Sequence, residues 1–232
     1  MNAIAGGGTL ISFPTLVALG VDRVGANVTN TVALCPGYYS GAVAQRAELV
    51  GERHRVVRLA MAAALGGLTG SVLLLATGEA VFKQLVPWLI LGACALLGGQ
   101  AWIRRVLRIG QRGESAPAAV STVATYSVSI YGGYFGAGLG IALLAVLGLV
   151  FPDGLKRLNA LKQVLATVIN VVAAVFFSFS GHVDWRFVAV MAPASLVGGW
   201  LGGKFVGKVR PEPLRAVIVV YGVALALWYL LR

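Results

Sequence analysis

"YGGYFGAGLG", residues 131–140, sits near the middle of an apolar run that extends from 117 to 151. Whether that run is one crossing or a hairpin decides the layout of the whole chain. As one crossing it gives eight spans, and the loops then share the 19 Lys and Arg almost evenly, 10 against 9. As a hairpin, with legs at 117–134 and 138–151 that enter and leave on one side, the basic residues separate 15 against 4. The rich side holds Arg46, Arg53, Arg55, Arg58, the arginines of the central linker, Lys156, Arg157, Lys162, Lys204, Lys208, Arg210 and Arg215. The poor side holds Arg23, Lys83, Arg186 and Arg232. Leaving out Lys162 makes the split 14 to 4. Cytoplasmic loops of membrane proteins carry the excess of Lys and Arg, so the hairpin is the expected layout.

The rest of the chain supports a membrane setting. Hydrophobic residues make up 58% and charged residues 12%, about half the charged share of an ordinary soluble domain. Apolar stretches near the ~20 residues that span a bilayer recur at 57–78, 84–103, 160–180, 187–205 and 213–231, and the segments 1–20 and 26–46 are apolar but interrupted. Alternating segments of the kind that build membrane β-barrels are absent. The expected class is an all-α polytopic membrane protein with the lipid bilayer as its surroundings. A net charge of +11 could suggest nucleic acid, but the basic residues lie between apolar spans and form no single patch, so no nucleic-acid partner is expected. Cys35 and Cys94 fall within spans, His54 and His182 in separate loops, and Asp22, Asp153 and Asp184 at turns. No nucleophile elbow, phosphate loop or spaced carboxylate pair appears, so neither an enzyme nor a cofactor is expected.

One half of the sequence echoes the other at a constant offset of 132. Gly6 and Gly8 fall on Gly138 and Gly140, and Asn27 falls on Asn159. Gly66, Gly67 and Gly70 fall on Gly198, Gly199 and Gly202. Three separate motifs that keep one offset point to two related repeats, 1–110 and 117–232, joined by a basic linker at 111–116 within "RRVLRIGQRGES". The apolar residues 117–133 have no counterpart after Met1, through either a trimmed start or a shorter N-terminus. With the hairpin layout, the equivalent loops at 20–24 and 152–157 lie on opposite sides. The repeats are then inverted, each a glycine-broken hairpin followed by three transmembrane helices, a construction common among secondary transporters.

The polar residues within spans follow the same offset. Asn159, Lys162, Gln163, Ala166 and Asn170 recur at helical spacing along one face. Their counterparts are Asn27, Asn30, Thr31, Leu34 and Tyr38, and four of the five positions are polar in both halves. Two such stripes related by pseudo-symmetry can face a shared polar cavity. Asparagines and threonines that merely join helices are the plainer alternative, worth about 0.6 kcal/mol per bond. That alternative explains Lys162 poorly, because a charge within the bilayer costs roughly 2.5–3.5 kcal/mol and the acidic residues lie in loops or at span edges. An anion, or water in its place, is the expected partner of this lysine, and a loop or interfacial lysine that snorkels outward is the alternative. Helices interrupted at Gly6, Gly7 and Gly8, and at Gly138 and Gly140, would also present free N–H groups to an anion. Close packing through small residues is the competing account of these glycines. It is the preferred one for "GGLTG" at 66–70 and "GGWLGG" at 198–203.

"NAIAGGGTLISFPTLVALGV" followed by "ANVTNTVALCPGYYSGAVAQR" resembles the opening motif of the sulfite exporter TauE/SafE family, also called the toluene sulfonate uptake permease family. "YGGYFGAGLG", "LNALKQVLATVIN" and "SGHVDW" resemble that family's second repeat. The resemblance implies a multi-pass protein of the inner membrane that exports a small, mostly sulfur-containing anion such as sulfite or a sulfonate, without a cofactor. The first repeat lacks the family's usual apolar segment before "NAIAGGG", and Val146 stands at the counterpart of Pro14. The expected site comprises Lys162, Asn159, Gln163, Asn170, Asn27, Asn30 and Thr31, with Gly6, Gly7, Gly8, Gly138 and Gly140 at the helix breaks. A non-transporting membrane subunit that assists a partner enzyme is the alternative. Substrate identity, direction, coupling ion and any homo-oligomer are left open by the sequence.

Overall fold

A computed structural model of the chain describes residues 8–99, 102, 115–204 and 212–230. Gly6, Gly7 and nearly all of the central basic linker, residues 103–114, lie outside them. The described residues form eight α-helices and no strand. In chain order these are α1 Thr9–Ala18, α2 Arg23–Ala44, α3 Arg53–Gly98, α4 Ala118–Tyr134, α5 Leu139–Val150, α6 Leu155–Ser178, α7 Trp185–Lys204 and α8 Glu212–Leu230. α3 and α6 are long and apolar enough to cross a membrane, with mean hydropathies of 2.0 and 1.9.

The 117–151 run is a hairpin. α4 ends at Tyr134, and α5 starts at Gly138 after a turn in which Gly136 and Gly138 both take positive φ, 74° and 72°. L side chains rarely adopt that conformation, which is why glycine stands at both places. At the open end Ala116 N–H donates to the Val150 carbonyl at 2.8 Å, so the two legs return to one level. Legs of 17 and 12 residues rise roughly 25 and 18 Å, less than the ~30 Å hydrocarbon core.

The segments expected as separate spans at 57–78 and 84–103 are two helical legs that meet end to end at Gly78, together labelled α3. α3 runs for 46 residues and is broken only at Gly78, whose φ of 68° and ψ of −179° redirect the chain without a loop. This break places Glu79, whose carboxylate accepts the N–H groups of Arg23 (3.1 Å) and Val24 (2.9 Å). Asp22 adds the N-cap bond from Gly25 N–H at 2.8 Å. Free N–H groups at a helix start need such acceptors, so α2 is anchored by two carboxylates. His54, expected in a loop, lies in the first turn of α3 and is exposed.

Helix packing is closest where glycines meet. α3 lies against α4 with Gly70 so near the Ile130 carbonyl that a Cβ would sit 2.0 Å from it, and a Cβ on Gly199 of α7 would come within 2.1 Å of the Gly37 carbonyl of α2. Both contacts match the close-packing account of these two motifs. The apolar interior is anchored by Phe13, Phe82 and Phe135, which meet edge to face with centroids 5.5–6.3 Å apart. They fasten the hairpin turn to α1 and to the second leg of α3, each pair adding about 0.5–1.5 kcal/mol beyond burial.

The loops gather at two ends. At one, Arg55 bridges Glu52 (3.1 Å) and Asp153 (2.8 Å), and Arg157 approaches Asp153 at 3.4 Å. At the other, Arg23 donates to the Lys83 carbonyl at 3.2 Å and lies over the Tyr229 ring, while Asp184 N–H donates to Thr29 Oγ1. Paired helix starts keep the offset seen in the sequence, Arg23 with Leu155 and Arg53 with Trp185.

Candidate functional site

α2 and α6 pack side by side in opposite directions, and their polar faces meet. The Tyr38 carbonyl on α2 accepts from both Thr167 Oγ1 (2.9 Å) and Gln163 Nε2 (3.3 Å) of α6. One turn further, Gln45 at the end of α2 accepts from Asn159 Nδ2 at 2.6 Å, and Asn159 Oδ1 in turn accepts from Lys162 Nζ at 2.8 Å. Lys162 is 6% exposed and Gln163 2% exposed. Burying an ammonium costs several kcal/mol unless its hydrogen bonds are made, and Asn159 makes one of them. The amide of Asn170 is turned back onto its own helix, donating to the Ala166 carbonyl at 2.8 Å.

The α2 members of the site lie at the other end of that helix. Asn27 is 1% exposed and donates through Nδ2 to the Tyr134 carbonyl, the last residue of α4, at 2.9 Å. Asn30, also 1% exposed, accepts a close hydrogen bond from Ser12 Oγ of α1. Thr31 Oγ1 donates within its own helix, to the Asn27 carbonyl at 2.9 Å. The structure therefore brings Lys162, Asn159 and Gln163 together, and separately Asn27 and Asn30. The 18 residues from Asn27 to Gln45 span roughly 27 Å of helix axis.

Between the two clusters lies a cavity of about 330 Å³, enclosed by α1, α2 and α7 and lined among others by Gly8, Ser12, Tyr38, Ser195 and Gly198. Its volume suits a small molecule. Ser12 connects it to Asn30 and the Tyr38 backbone connects it to Gln163 and Thr167. Of the glycines expected at helix breaks, Gly8 precedes α1 at the cavity wall and Gly138 caps α5. Gly140 lies within the first turn of α5, not in the break. The turn also uses some of its own polar groups, since Leu139 N–H donates to the Gly136 carbonyl at 3.1 Å.

Ser12, Gln45 and Thr167 escaped the sequence reading. Gln45 could have been found, because the α2 stripe at 27, 30, 31, 34 and 38 continues through 41 to 45 at the same helical spacing. Thr167 is likewise four residues beyond Gln163. Ser12 gives no local signal, since its partner Asn30 is on another helix.

The described residues thus define an all-helical protein with bilayer-length spans and buried polar clusters between its helices. The family model described as "Sulfite exporter TauE/SafE" matches residues 1–229. Among curated proteins, the chain is 26% identical over 236 residues to a "Probable membrane transporter protein" of Haemophilus influenzae, covering 95% of this chain and 85% of that one. It is 26% identical over 227 residues to "Probable membrane transporter protein YfcA" of Escherichia coli K12, covering 95% and 81%. It is 21% identical over 227 residues to "Probable membrane transporter protein ORF9" of a Sinorhizobium species, covering 98% and 86%. No solved structure matches significantly. The chain belongs to the sulfite exporter TauE/SafE family.

Proposed function

We propose that this protein is a multi-pass transporter of the inner membrane that exports a small sulfur-containing anion, sulfite or a sulfonate, by alternating access. The observation that carries the reading is Lys162, a lysine 6% exposed on a bilayer-length helix and held at 2.8 Å by Asn159. Ionisable residues inside membrane helices mark substrate and ion pathways. Membership of a family described as sulfite exporters and similarity to proteins named as membrane transporters support the same class.

In this reading the anion passes the cavity beside Ser12 and Tyr38 and meets Lys162, Asn159 and Gln163 at one end of its path. Asn27, Asn30, Thr31 and Asn170, with Gly8 and Gly138 at the helix starts, are the further groups that serve it in this reading. Alternating exposure comes from one repeat, 1–110, rocking against the other, 117–232. Two pairs of helix starts offset by 132 residues, Arg23 with Leu155 and Arg53 with Trp185, and the gathering of loops 20–24 and 152–157 at different ends of α2 support inverted repeats.

The test is efflux from proteoliposomes loaded in turn with sulfite, a short alkyl sulfonate, sulfate and chloride. Faster loss of sulfite or the sulfonate than from protein-free vesicles is the expected result. Uniform retention of all four would leave the protein as a non-transporting membrane subunit.

A further inference from the structure

Asn27 and Asn159 occupy matching places, each four residues into a long helix, yet their side chains are satisfied differently. Asn159 uses its whole carboxamide: Nδ2 donates to Gln45, and Oδ1 accepts from the ammonium of Lys162, three residues on. Asn27 donates through Nδ2 to the Tyr134 carbonyl, but its Oδ1 is buried and has no hydrogen-bond donor among the described residues. The residue three positions on is Asn30, which carries no charge, and whose own Oδ1 is taken by Ser12 Oγ. One asparagine oxygen therefore faces a built-in cation, and its counterpart faces none.

A buried carbonyl oxygen left without a donor is costly, so a partner is expected. Turning the amide over would not help, because it would set Oδ1 against the Tyr134 carbonyl, two acceptors face to face. The surroundings favour positive charge. α4 ends at Tyr134, so Asn27 lies at the carbonyl end of that helix, which carries about −0.5 elementary charge. The start of α2 would oppose a cation, but Asp22 and the Glu79 carboxylate already occupy its N–H groups. Backbone carbonyls and the C-terminal ends of broken helices are the groups by which transporters hold Na⁺, and an amide oxygen is a carbonyl acceptor of the same kind.

We propose that Asn27 Oδ1 is a ligand of a monovalent hard cation, Na⁺, bound where the hairpin turn meets α2 and occupying the place that the Lys162 ammonium takes beside Asn159. The binding site stands without any assumption about the anion. Its use as the coupling ion rests on the transport reading.

The experiment is thermal unfolding of the purified full chain in detergent, followed by tryptophan fluorescence, in NaCl, KCl and choline chloride at equal ionic strength, with ²²Na⁺ binding measured in parallel. The wild type is expected to gain several degrees in NaCl over choline chloride, saturably, and to bind ²²Na⁺. Asn27→Ala should bind ²²Na⁺ at least tenfold more weakly. Asn30→Lys, which supplies an ammonium to Oδ1 as Lys162 does, should unfold at one temperature in all three salts. Identical unfolding of the wild type in the three salts, with no ²²Na⁺ bound, would overturn the proposal and leave Oδ1 to water. Undiminished ²²Na⁺ binding by both variants would overturn it equally. Sulfite efflux is a separate readout, so loss of the cation site and loss of the anion reading are told apart.

Discussion

Lys162 Nζ lies 2.8 Å from Oδ1 of Asn159, one helical turn back on the same helix, and Asn159 passes its other amide hydrogen to Gln45 on the neighbouring helix. This chain of contacts fixes the position of a buried charge. Cutting it should separate position from charge. Asn159→Ala keeps the ammonium but frees it to move, so sulfite efflux is expected to fall about tenfold, the value of one 1.4 kcal/mol hydrogen bond to a charge. Asn159→Gln should recover part of the loss. Efflux by Asn159→Ala equal to that of the wild type would remove this residue from the site.

The contact of α7 with α2 predicts a sharp contrast between adjacent glycines. A Cβ on Gly199 would meet the Gly37 carbonyl at 2.1 Å, whereas one on Gly198 would meet nothing within 4 Å. Gly199→Ala should lower stability by about 1–3 kcal/mol, as overpacking does, and Gly198→Ala should change it by less than about 0.5 kcal/mol. Thermal unfolding in detergent distinguishes the two. Equal effects would contradict the packing described.

Arg55 joins the start of α3 to the α5–α6 loop through charge. Its guanidinium reaches Glu52 and, at 2.8 Å, Asp153, while lying over the Phe151 ring at 4.7 Å. Both ends of the Arg55–Asp153 pair are well covered, at 16% and 11% side-chain exposure. A double-mutant cycle with Arg55→Ala and Asp153→Ala should give a coupling of about 2 kcal/mol. Arg55→Lys should recover little, because an ammonium cannot fork between two carboxylates and stack on a ring together. Additive single effects would show that the network holds nothing.

The proposed inverted repeats make a topological prediction. With Cys35 and Cys94 replaced by serine, cysteines placed at Asp22 and Leu155 should be labelled by a membrane-impermeant thiol reagent from opposite faces. Labelling of both from one face would exclude inverted repeats.

Much of this architecture was legible in the residues, and the misses have physical causes. The hairpin at 117–151 follows from where the arginines and lysines lie, because charge reports the side on which a segment ends. The stretches flanking Gly78 read as two spans, and what was hidden is that they join there without a loop, which only a backbone angle shows. The polar stripes of α2 and α6 were visible from helical spacing. Their meeting at Tyr38 was not, because it uses a backbone carbonyl that every residue possesses. The shared cavity expected between the stripes is divided into two clusters. Antiparallel packing carries Asn27 and Asn159, four residues into their helices, to opposite ends, which spacing along one helix cannot reveal. Ser12 and Asn30 meet only through the tertiary fold.

The central claim, that Lys162 serves a transported anion, is tested most directly by sulfite efflux from proteoliposomes bearing the wild type, Lys162→Ala or no protein. The account predicts efflux from wild-type vesicles well above empty ones, and a loss of at least tenfold in Lys162→Ala with its thermal unfolding still cooperative. Equal efflux from the folded variant and the wild type would contradict it.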